Sequence, residues 1–293
     1  MNAVSCSKGV RMELVEFSIA DEFLATTQAF LEENETVNNL ILGIANQVRE
    51  DPERYPGPPF LAAVLDEKNH PILCAVMTPP YPMIISAEGE LGDAVDLLQS
   101  HLVQNAVHIP GVNGREDASD LFSERWRTLT GQKISLDMSL RAYELRQVIL
   151  PRIPEGTFRR ASMDESEVII RFFKAMHDEI MGDSEPMPNL ISILKTIDQR
   201  RAFVWESKGK LVSMAIKGRS TSHGMTVSGV YTPPEERKQG YASACVAMLS
   251  QEILDEGSLF VNLFTDLANP TSNAIYQAIG YRPLCDFHKY SFS

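Results

Sequence analysis

The sequence predicts an α/β protein, α+β in finer terms, in which one order of strands and helices occurs twice. Short runs with period-2 alternation indicate strands, and longer runs with apolar residues at helical spacing indicate helices. Their order is strand, helix, helix, hairpin, strand, helix, and it occurs once in each half of the 293 residues. Between the halves, QVILPRIPEGT interrupts the periodicity with two prolines and a glycine. We therefore expect two domains, 1–148 and 157–293, joined by a linker at 149–156.

The first half is predicted to begin with a strand in MELVEF and one or two helices in IADEFLATTQAFLEENETVNNLILGIANQVRE. Two strands with a Lys-Asn-His-Pro turn follow in PPFLAAVLDEKNHPILCAVMTPP, then a helix in LGDAVDLLQSHLVQ and a strand in KISLDMSLRAYEL. The second half has a strand in TFRRAS, helices in MDESEVIIRFFKAMHDEI and MPNLISILKTIDQ, and a hairpin turning at Lys208-Gly209. The strand GMTVSGVYT, a helix, the strand LFVNLF, another helix and a final strand complete it.

The composition is that of a globular protein, with 44% hydrophobic residues, 23% charged residues and a net charge of −12 at pH 7. An acidic chain disfavours duplex nucleic acid as a partner and is compatible with a cationic or neutral small substrate. No apolar run is long enough for a membrane span, and MNAVSCSKGVRMELVEF lacks the apolar core of a signal peptide. We expect a cytoplasmic location and no membrane or nucleic-acid partner.

The cysteines and histidines give no indication of a metal site. No two cysteines form a C-x-x-C pair, and the six histidines are dispersed. We expect free thiols in a reducing cytoplasm and no metal. The cysteines are Cys6, Cys74, Cys245 and Cys285.

A strand, a glycine-containing loop and a helix form the first candidate site. Prolines 233 and 234 end the strand GMTVSGVYT at Thr232, and an amphipathic helix begins after EERKQG. The helix is followed by Gly257 as a cap. Its apolar face carries Ala242, Cys245, Val246, Leu249 and Ile253.

Gly240 lies at the entry of this helix, with Arg237 and Lys238 beside it. The first turn of a helix exposes N–H groups without intrahelical partners, and its dipole favours anions, so the loop can hold a pyrophosphate. An exposed loop with a helix-starting glycine explains this stretch equally well when it is taken alone. The loop has neither the G-x-G-x-x-G nor the G-x-x-x-x-G-K-[ST] pattern of nucleotide sites.

The second candidate site is TDLANPTSNAIYQAIGYRP, residues 265–283. Asn269 suits a helix N-cap, Pro270 the first helical position and Gly280 the C-terminal cap. These caps predict a helix of about ten residues with Tyr276 in its second turn.

The two motifs together resemble the GNAT superfamily of N-acetyltransferases. The resemblance rests on a strand ending in VYT, R-x-x-G-x-A, a helix, a strand, N-P-x-S-N-x-x-Y and I-G-Y-R-P, and it covers residues 157–293. The strand end F-T-D-L-A-N is similar to the glycine-N-acyltransferase-like branch. The resemblance implies two GNAT-like domains, each a mixed, mostly antiparallel twisted sheet flanked by helices.

The resemblance also implies acetyl-coenzyme A as cosubstrate. The loop amides of 237–243 would grip its pyrophosphate, and the strand end 230–232 would pair with the pantetheine arm and donate an N–H to the thioester carbonyl. Tyr276 matches the general acid of the family. The implied cofactor-binding residues are Val230, Tyr231, Thr232, Arg237, Lys238, Gln239, Gly240, Tyr241, Ala242, Ser243 and Asn269.

The chemistry implied for these residues is direct attack of an amine on the thioester. An N–H can stabilise the developing oxyanion, and a tyrosine, with an ordinary pKa of about 10, is protonated at pH 7 and can protonate the leaving thiolate. The alternative for Tyr276 is simple packing against the sheet. No covalent enzyme intermediate is required, so the cysteines need no role.

The general base is not identified by the sequence. HDEIMGDSEP carries Asp178, Glu179, Asp183 and Glu185 in an acidic loop that attracts a cationic acceptor or is merely solvated surface. His223 and Glu206 are weaker candidates.

The first half lacks both motifs. Glu88 and Glu90 follow the strand PMIIS where basic residues would be needed, and carboxylates repel a pyrophosphate. GREDASDLFSERWRTLTG has no tyrosine in the place of Tyr276. We expect a degenerate partner domain that shapes the acceptor cleft or stabilises the catalytic half, and one acetyl-coenzyme A per chain.

Two other functions remain open at this point: transfer of a longer acyl group from its coenzyme A thioester, and a coenzyme A-binding sensor without turnover. The sequence names neither the acceptor, a small-molecule amine or a protein amine, nor the oligomeric state.

Overall fold

The computed structural model describes residues 11–89, 91–180 and 189–293. Its contacts divide the chain into two compact units. Unit 1 contains the residues up to Asn34, Leu40–Met138 and Phe287–Ser293, and unit 2 contains Glu35–Asn39 and Ser139–Asp286. The predicted boundaries at 148 and 157 divide the chain into consecutive segments. The division by contacts instead assigns separate segments of the chain to the same unit. Cys6 lies outside the described residues.

Unit 1 is a sheet with helices on both faces. The strands run in the order β1-β2-β3-β4-β5, with the end of β12 beside β5. Pairing is antiparallel except between β4 and β5. The elements are β1 Glu13–Glu16, α1 Ala20–Glu33, α2 Asn39–Glu50, β2 Phe60–Leu65, β3 Pro71–Met77, β4 Met83–Ala87, α3 Gly92–Gln104, β5 Gly111–Arg115, α4 Glu116–Thr130 and the start of β6 Ile134–Leu145, with β12 Arg282–Phe292.

Strand β2 shows why unit 1 has two helical layers. All six of its residues are buried, because alternate side chains enter different clusters. Leu61 and Ala63 pack with α1 and α2, whereas Ala62 and Val64 pack with α3 and α4. A strand that is apolar on both sides needs a cover on each face.

Unit 2 repeats the construction. The strands run in the order β12-β6-β11-β10-β9-β8-β7, and the parallel pair is β10 and β11. Helices α5 and α6 cover one face, and α7 and α8 cover the other. The further elements are β7 Thr157–Arg160, α5 Ser166–Ile180, α6 Leu190–Asp198, β8 Ala202–Ser207, β9 Lys210–Ser220, β10 Gly224–Tyr231, α7 Tyr241–Asp255, β11 Phe260–Asp266 and α8 Pro270–Ala278.

The duplicated order is therefore confirmed: β-α-α-β-β-β-α-β-α-β is read twice along the chain. The last strand of each repeat is exchanged. Residues Leu140–Leu145 of β6 pair with β11 in unit 2, and Phe287–Ser291 of β12 pair with β5 in unit 1. Each unit thus contains part of a strand from the other half of the sequence.

Two local features agree with the sequence patterns. The hairpin turns at Lys208 and Gly209, whose φ angles are 51° and 73°. Cys74 and Cys245 are buried free thiols, and burial raises the pKa of Cys245 to about 12. Within the described part of the chain, no helix combines the length and the apolar character needed to cross a bilayer.

Candidate functional site

The centre of the candidate site in unit 2 is a parallel strand pair that stops pairing halfway. β10 and β11 are in register only from Gly224 opposite Phe260 to Thr226 opposite Asn262. Both strands continue, and their outer edges remain paired to β9 and β6. The edge of Val227–Tyr231 that faces β11, called here the open edge, therefore has its backbone groups available for an extended ligand.

A bulge shapes the open edge. The register between β10 and β9 shifts between Ser228 and Tyr231, where Gly229 has a φ of 57°. A Cβ on Gly229 would lie 2.6 Å from Cγ1 of Ile216, so this position requires glycine. Val230 packs towards α7, and Tyr231 packs with α5.

The open edge leads into the predicted phosphate loop. Gly240 is the left-handed N-cap of α7, with a φ of 87°, and a Cβ there would meet only the carbonyl oxygen of Arg152, 4.0 Å away. Lys238, Gln239 and Gly240 are exposed. The N–H groups of the first turn, Tyr241–Ser243, have no intrahelical partners, and the left-handed glycine leaves space in front of them. Ala242 is half-buried rather than a full core residue.

Arg237 is held by other groups. Its Nε donates to the Thr232 carbonyl at 2.9 Å, and its Nη2 donates to both Glu179 oxygens at 2.9 and 2.7 Å. Its guanidinium lies over the Tyr231 ring, 5.9 Å from the ring centre. The Tyr231 hydroxyl donates to Glu179 at 3.4 Å, and burial together with the Glu179 charge raises the pKa of Tyr231.

Tyr276 lies where the second motif predicts. The Asn269 side chain accepts from the Ser272 N–H at 3.0 Å and caps α8, and Pro270 opens the helix. Gly280 follows the helix with a φ of 108°. These caps confirm the predicted helix.

The Tyr276 hydroxyl is suited to remain protonated. The side chain is 8% exposed, and burial raises its pKa to about 12. Its ring lies 6.4 Å from Tyr143 and 5.9 Å from Tyr281. Among the described residues, no side chain or carbonyl hydrogen-bonds to its hydroxyl, whereas the Tyr281 hydroxyl is paired with Ser250 at 2.9 Å.

The opposite face of the parallel pair carries a buried polar group that the sequence did not indicate. Thr226 donates to Asn262 Oδ1 at 2.7 Å, and Asn39 donates to the Thr36 carbonyl at 2.6 Å. Asn262 Nδ2 is buried without a hydrogen-bond partner in the described structure. Asn39 belongs to the segment Glu35–Asn39, which connects α1 to α2 in the first half of the sequence but is part of unit 2. Sequence patterns in the second half could therefore not indicate that this segment contributes to the group.

The predicted acidic loop is in part helical. Asp178 and Glu179 lie in the last turn of α5, which runs to Ile180, so they are helical rather than part of a loop. Asp178 is exposed. Asp183 and Glu185 lie outside the described residues.

The two weaker base candidates are both paired. Nδ1 of His223 lies 2.7 Å from the buried carboxylate of Glu35. Glu206 accepts from Nε of Arg159 at 2.8 Å.

The matching region of unit 1 has different chemistry. Glu88 follows β4 and accepts from Asn34 at 2.5 Å, and Glu90 lies outside the described residues. The first turn of α3 carries Asp93 and no basic residue. In α4, the second turn carries the buried Phe122. The candidate site of unit 2 has a basic loop and a tyrosine. The described residues at the matching positions of unit 1 provide neither.

Unit 1 does bring together one group that can hold a metal ion: Glu116, Asp120 and His288, with ligand atoms within 4.8 Å of one another. Nδ1 of His288 lies 2.6 Å from Asp120, to which Tyr290 also donates at 2.8 Å. Sequence spacing missed this group because Asp120 and His288 are 168 positions apart.

Comparison with known proteins places this fold in a class. Over 97% of this chain and 99% of the other, a Drosophila protein superposes with a TM-score of 0.67 at 13% identity. A GCN5-related N-acetyltransferase from Sphaerobacter thermophilus gives a TM-score of 0.64 at 13% identity, covering 95% of each chain. A tandem GNAT protein from the clavulanic acid biosynthesis pathway gives 0.58 at 13% identity over 97% of this chain and 98% of that one. The chain has the GCN5-related N-acetyltransferase fold in its tandem form.

The family comparison agrees with the structures. Residues 207–290 match the family model described as FR47-like protein. The predicted fold class is thereby confirmed, and it is the fold that the resemblance to the GNAT superfamily implied. No curated protein matches the sequence.

Proposed function

We propose that this chain is an N-acyltransferase that moves an acetyl group from acetyl-coenzyme A to an amine by direct attack. The observation that carries the proposal is the open edge Val227–Tyr231, which leads straight into the exposed helix entry at Gly240. A strand edge with available backbone groups suits an extended pantetheine arm, and a helix entry suits a pyrophosphate.

In this proposal, the N–H groups of Tyr241–Ser243 receive the pyrophosphate. Gly240 admits it closely, and the exposed Lys238, Gln239 and Arg237 surround it. Thr232 and the open edge hold the arm. Asn269 is an exposed residue whose Oδ1 is occupied as a cap, so its Nδ2 is the group left for the cosubstrate.

The open edge and Tyr276 divide the chemistry between them. A backbone N–H near Val230 donates to the thioester oxygen as negative charge develops on it. Tyr276 donates its proton to the departing sulfur, and its raised pKa of about 12 keeps that proton in place until then. Its hydroxyl, unlike that of Tyr281, is not committed to another group in the described structure. That difference favours an enzyme over a coenzyme A sensor.

The same geometry supports one cosubstrate per chain, held in unit 2. Unit 1 offers Glu88 and Asp93 where unit 2 offers Arg237 and Lys238. The buried thiols Cys74 and Cys245 are compatible with a reducing cytoplasm as the location.

Calorimetric titration with acetyl-coenzyme A tests the site. Gly240→Glu should abolish binding, because the side chain fills the helix entry and its charge repels the pyrophosphate. Gly257→Glu is the matched control: this glycine also has a positive φ, 104°, and open space around it, but it lies at the other end of α7. Unchanged affinity in Gly240→Glu, or equal loss in both variants, would remove the assignment.

A thiol-release assay with a panel of amines tests the activity. Turnover with acetyl-coenzyme A and an amine supports the transferase, and faster turnover with a longer acyl thioester would change the acyl group in the proposal. Binding without turnover for any amine would leave a coenzyme A sensor.

A further inference from the structure

The group formed by Glu116, Asp120 and His288 in unit 1 contains metal-binding side chains that the proposed function does not use. Glu116 and Asp120 lie one turn apart at the start of α4, and His288 lies on β12, the strand that the second repeat contributes to unit 1. One ligand atom of each residue lies within 4.8 Å of the other two. The exchanged strand therefore brings an imidazole to two carboxylates of the first repeat.

The imidazole ring of His288 is oriented to bind a metal ion. Its Nδ1 lies 2.6 Å from Oδ1 of Asp120, and because a carboxylate can only accept, Nδ1 carries a proton. In the neutral ring the lone pair is then on Nε2, which lies 3.9 Å from Oε1 of Glu116. Zinc binds nitrogen and oxygen at about 2.0–2.2 Å, so one ion can join two such atoms that are about 4 Å apart.

Asp120 is held in place by a second donor. The Tyr290 hydroxyl donates to the same Oδ1 at 2.8 Å, and burial together with the Asp120 carboxylate raises the pKa of Tyr290 to about 12. Tyr290 therefore stays protonated and remains a donor at neutral pH. A carboxylate on the far ring nitrogen is the usual outer partner of a metal-binding histidine, since it fixes the ring and makes it more basic.

The basic side chains next to the group do not neutralise it. Arg115 donates from Nε and Nη2 to the carboxylate of Asp117, at 3.2 and 2.7 Å. Lys289 follows His288 in the extended strand β12, where successive side chains point to opposite faces of the sheet. The two carboxylates beside His288 therefore supply negative charge to a cation bound there.

Unit 2 holds the corresponding strand with neutral groups. There the Tyr143 hydroxyl on β6 donates to Oδ1 of Asn273 on α8 at 2.8 Å. In unit 2, β6 and α8 have the places that β12 and α4 have in unit 1. Since a phenol and a carboxamide are enough to connect this strand to this helix, the imidazole and the carboxylates of unit 1 are more than packing requires.

We propose that unit 1 binds a divalent transition-metal ion of the zinc type through Nε2 of His288 and the carboxylate of Glu116, with Asp120 as the residue that orients the imidazole. The side chain of Glu116 is 57% exposed, so water can complete the coordination. Imidazole selects zinc over magnesium, which prefers oxygen ligands. The bound ion joins α4 to β12 and fixes the exchanged strand in the sheet of unit 1. This site does not depend on the proposed function of unit 2.

Titration with zinc chloride tests the proposal. The whole chain, without an affinity tag and freed of metal by dialysis against a chelator, should bind Zn²⁺ in calorimetry, and its thermal midpoint should rise with the concentration of free Zn²⁺. Magnesium chloride at the same concentrations should give neither effect. Absence of zinc binding would overturn the proposal. An equal response to Mg²⁺ would also overturn it, because it would show only a general attraction of cations to an acidic surface.

Variants with matched controls locate the ion. Glu116→Gln and His288→Gln should abolish zinc binding and the rise in midpoint, and Asp120→Asn should weaken zinc binding about 10–100-fold. Glu124→Gln removes the same charge from an exposed position of α4, and His101→Gln removes a histidine that also contacts a carboxylate, at 2.7 Å. Both control variants should bind zinc with the affinity of the wild type.

The exposed position of Glu116 makes its variant the decisive one, since Glu116→Gln should fold even where His288→Gln is destabilised. Unchanged zinc affinity in Glu116→Gln would overturn the proposal, because the ion would then be bound elsewhere. Equal losses in the two control variants would overturn it as well. A loss confined to the variants of the group would support it.

Discussion

Replacing Gly229 with alanine tests whether the bulge creates the open edge. The φ of 57° at this position costs an L-residue about 1–2 kcal/mol. The added Cβ would also lie 2.6 Å from Cγ1 of Ile216, and relieving such overpacking in a core costs about 1–3 kcal/mol. We therefore expect Gly229→Ala to lower the free energy of unfolding by about 2–5 kcal/mol.

Gly209→Ala is the control for this prediction. Gly209 has a similar φ of 73°, but no atom lies within 4 Å of the position of its Cβ. It should lose only the backbone contribution, about 1–2 kcal/mol. Urea unfolding of both variants, followed by circular dichroism, measures the difference.

Binding supplies the functional half of the same experiment. Because the alanine must push β10 away from Ile216, the open edge moves and coenzyme A affinity should fall in Gly229→Ala but not in Gly209→Ala. Equal losses of stability in the two variants would refute the steric reasoning. A destabilised Gly229→Ala with unchanged affinity would refute the link between the bulge and the ligand.

Four further predictions concern the acid, the stoichiometry and the end of the chain. Tyr276→Phe should lower kcat about 10²–10⁴-fold with nearly unchanged coenzyme A affinity, while Tyr281→Phe, which removes a hydroxyl already paired with Ser250, should leave kcat near the wild-type value in the thiol-release assay. Since the pKa of Tyr276 is raised to about 12, its deprotonation should cause no loss of rate below about pH 10, as a pH profile of kcat can show. Titration should give one acetyl-coenzyme A per chain, and two equivalent sites would contradict the comparison of the units. Truncation after Asp286 should lower the thermal midpoint strongly, because it removes the strand beside β5 and Phe292, whose ring stacks 6.3 Å from Phe122; an unchanged midpoint would show that this strand is dispensable.

Local patterns were sufficient for most elements of the fold and for the helix that carries Tyr276, but strand β5 and helix α4 were not predicted. Turn residues at Lys208–Gly209 and the caps around α8 act within a few positions, so their meaning can be read from the sequence. The duplicated order follows from the same kind of information. Helical periodicity also extends α5 to Ile180, which places Glu179 on a helix.

The parts that escaped prediction depend on contacts between distant positions. Glu179 and Arg237 are 58 positions apart, and Glu35 and His223 are 188 apart. The residues next to them in the sequence do not indicate these pairs, because the charge and size of a side chain are compatible with many possible partners. The exchange of β6 and β12 could not be predicted for a related reason. The pattern of a strand shows which of its side chains are buried, but not which other strand pairs with it.

The exchange of last strands has a consequence for how the protein is made. The ribosome synthesises the whole first repeat before the second, yet the strand that borders β5 is the stretch Phe287–Ser293 of the second repeat. During synthesis, β5 therefore keeps an unpaired edge until these residues have been translated. The sheet of unit 1 cannot be completed before the second repeat has been made. Mutations in Phe287–Ser293 should consequently damage unit 1, and nascent chains stalled in the second repeat should depend on chaperones that shield strand edges.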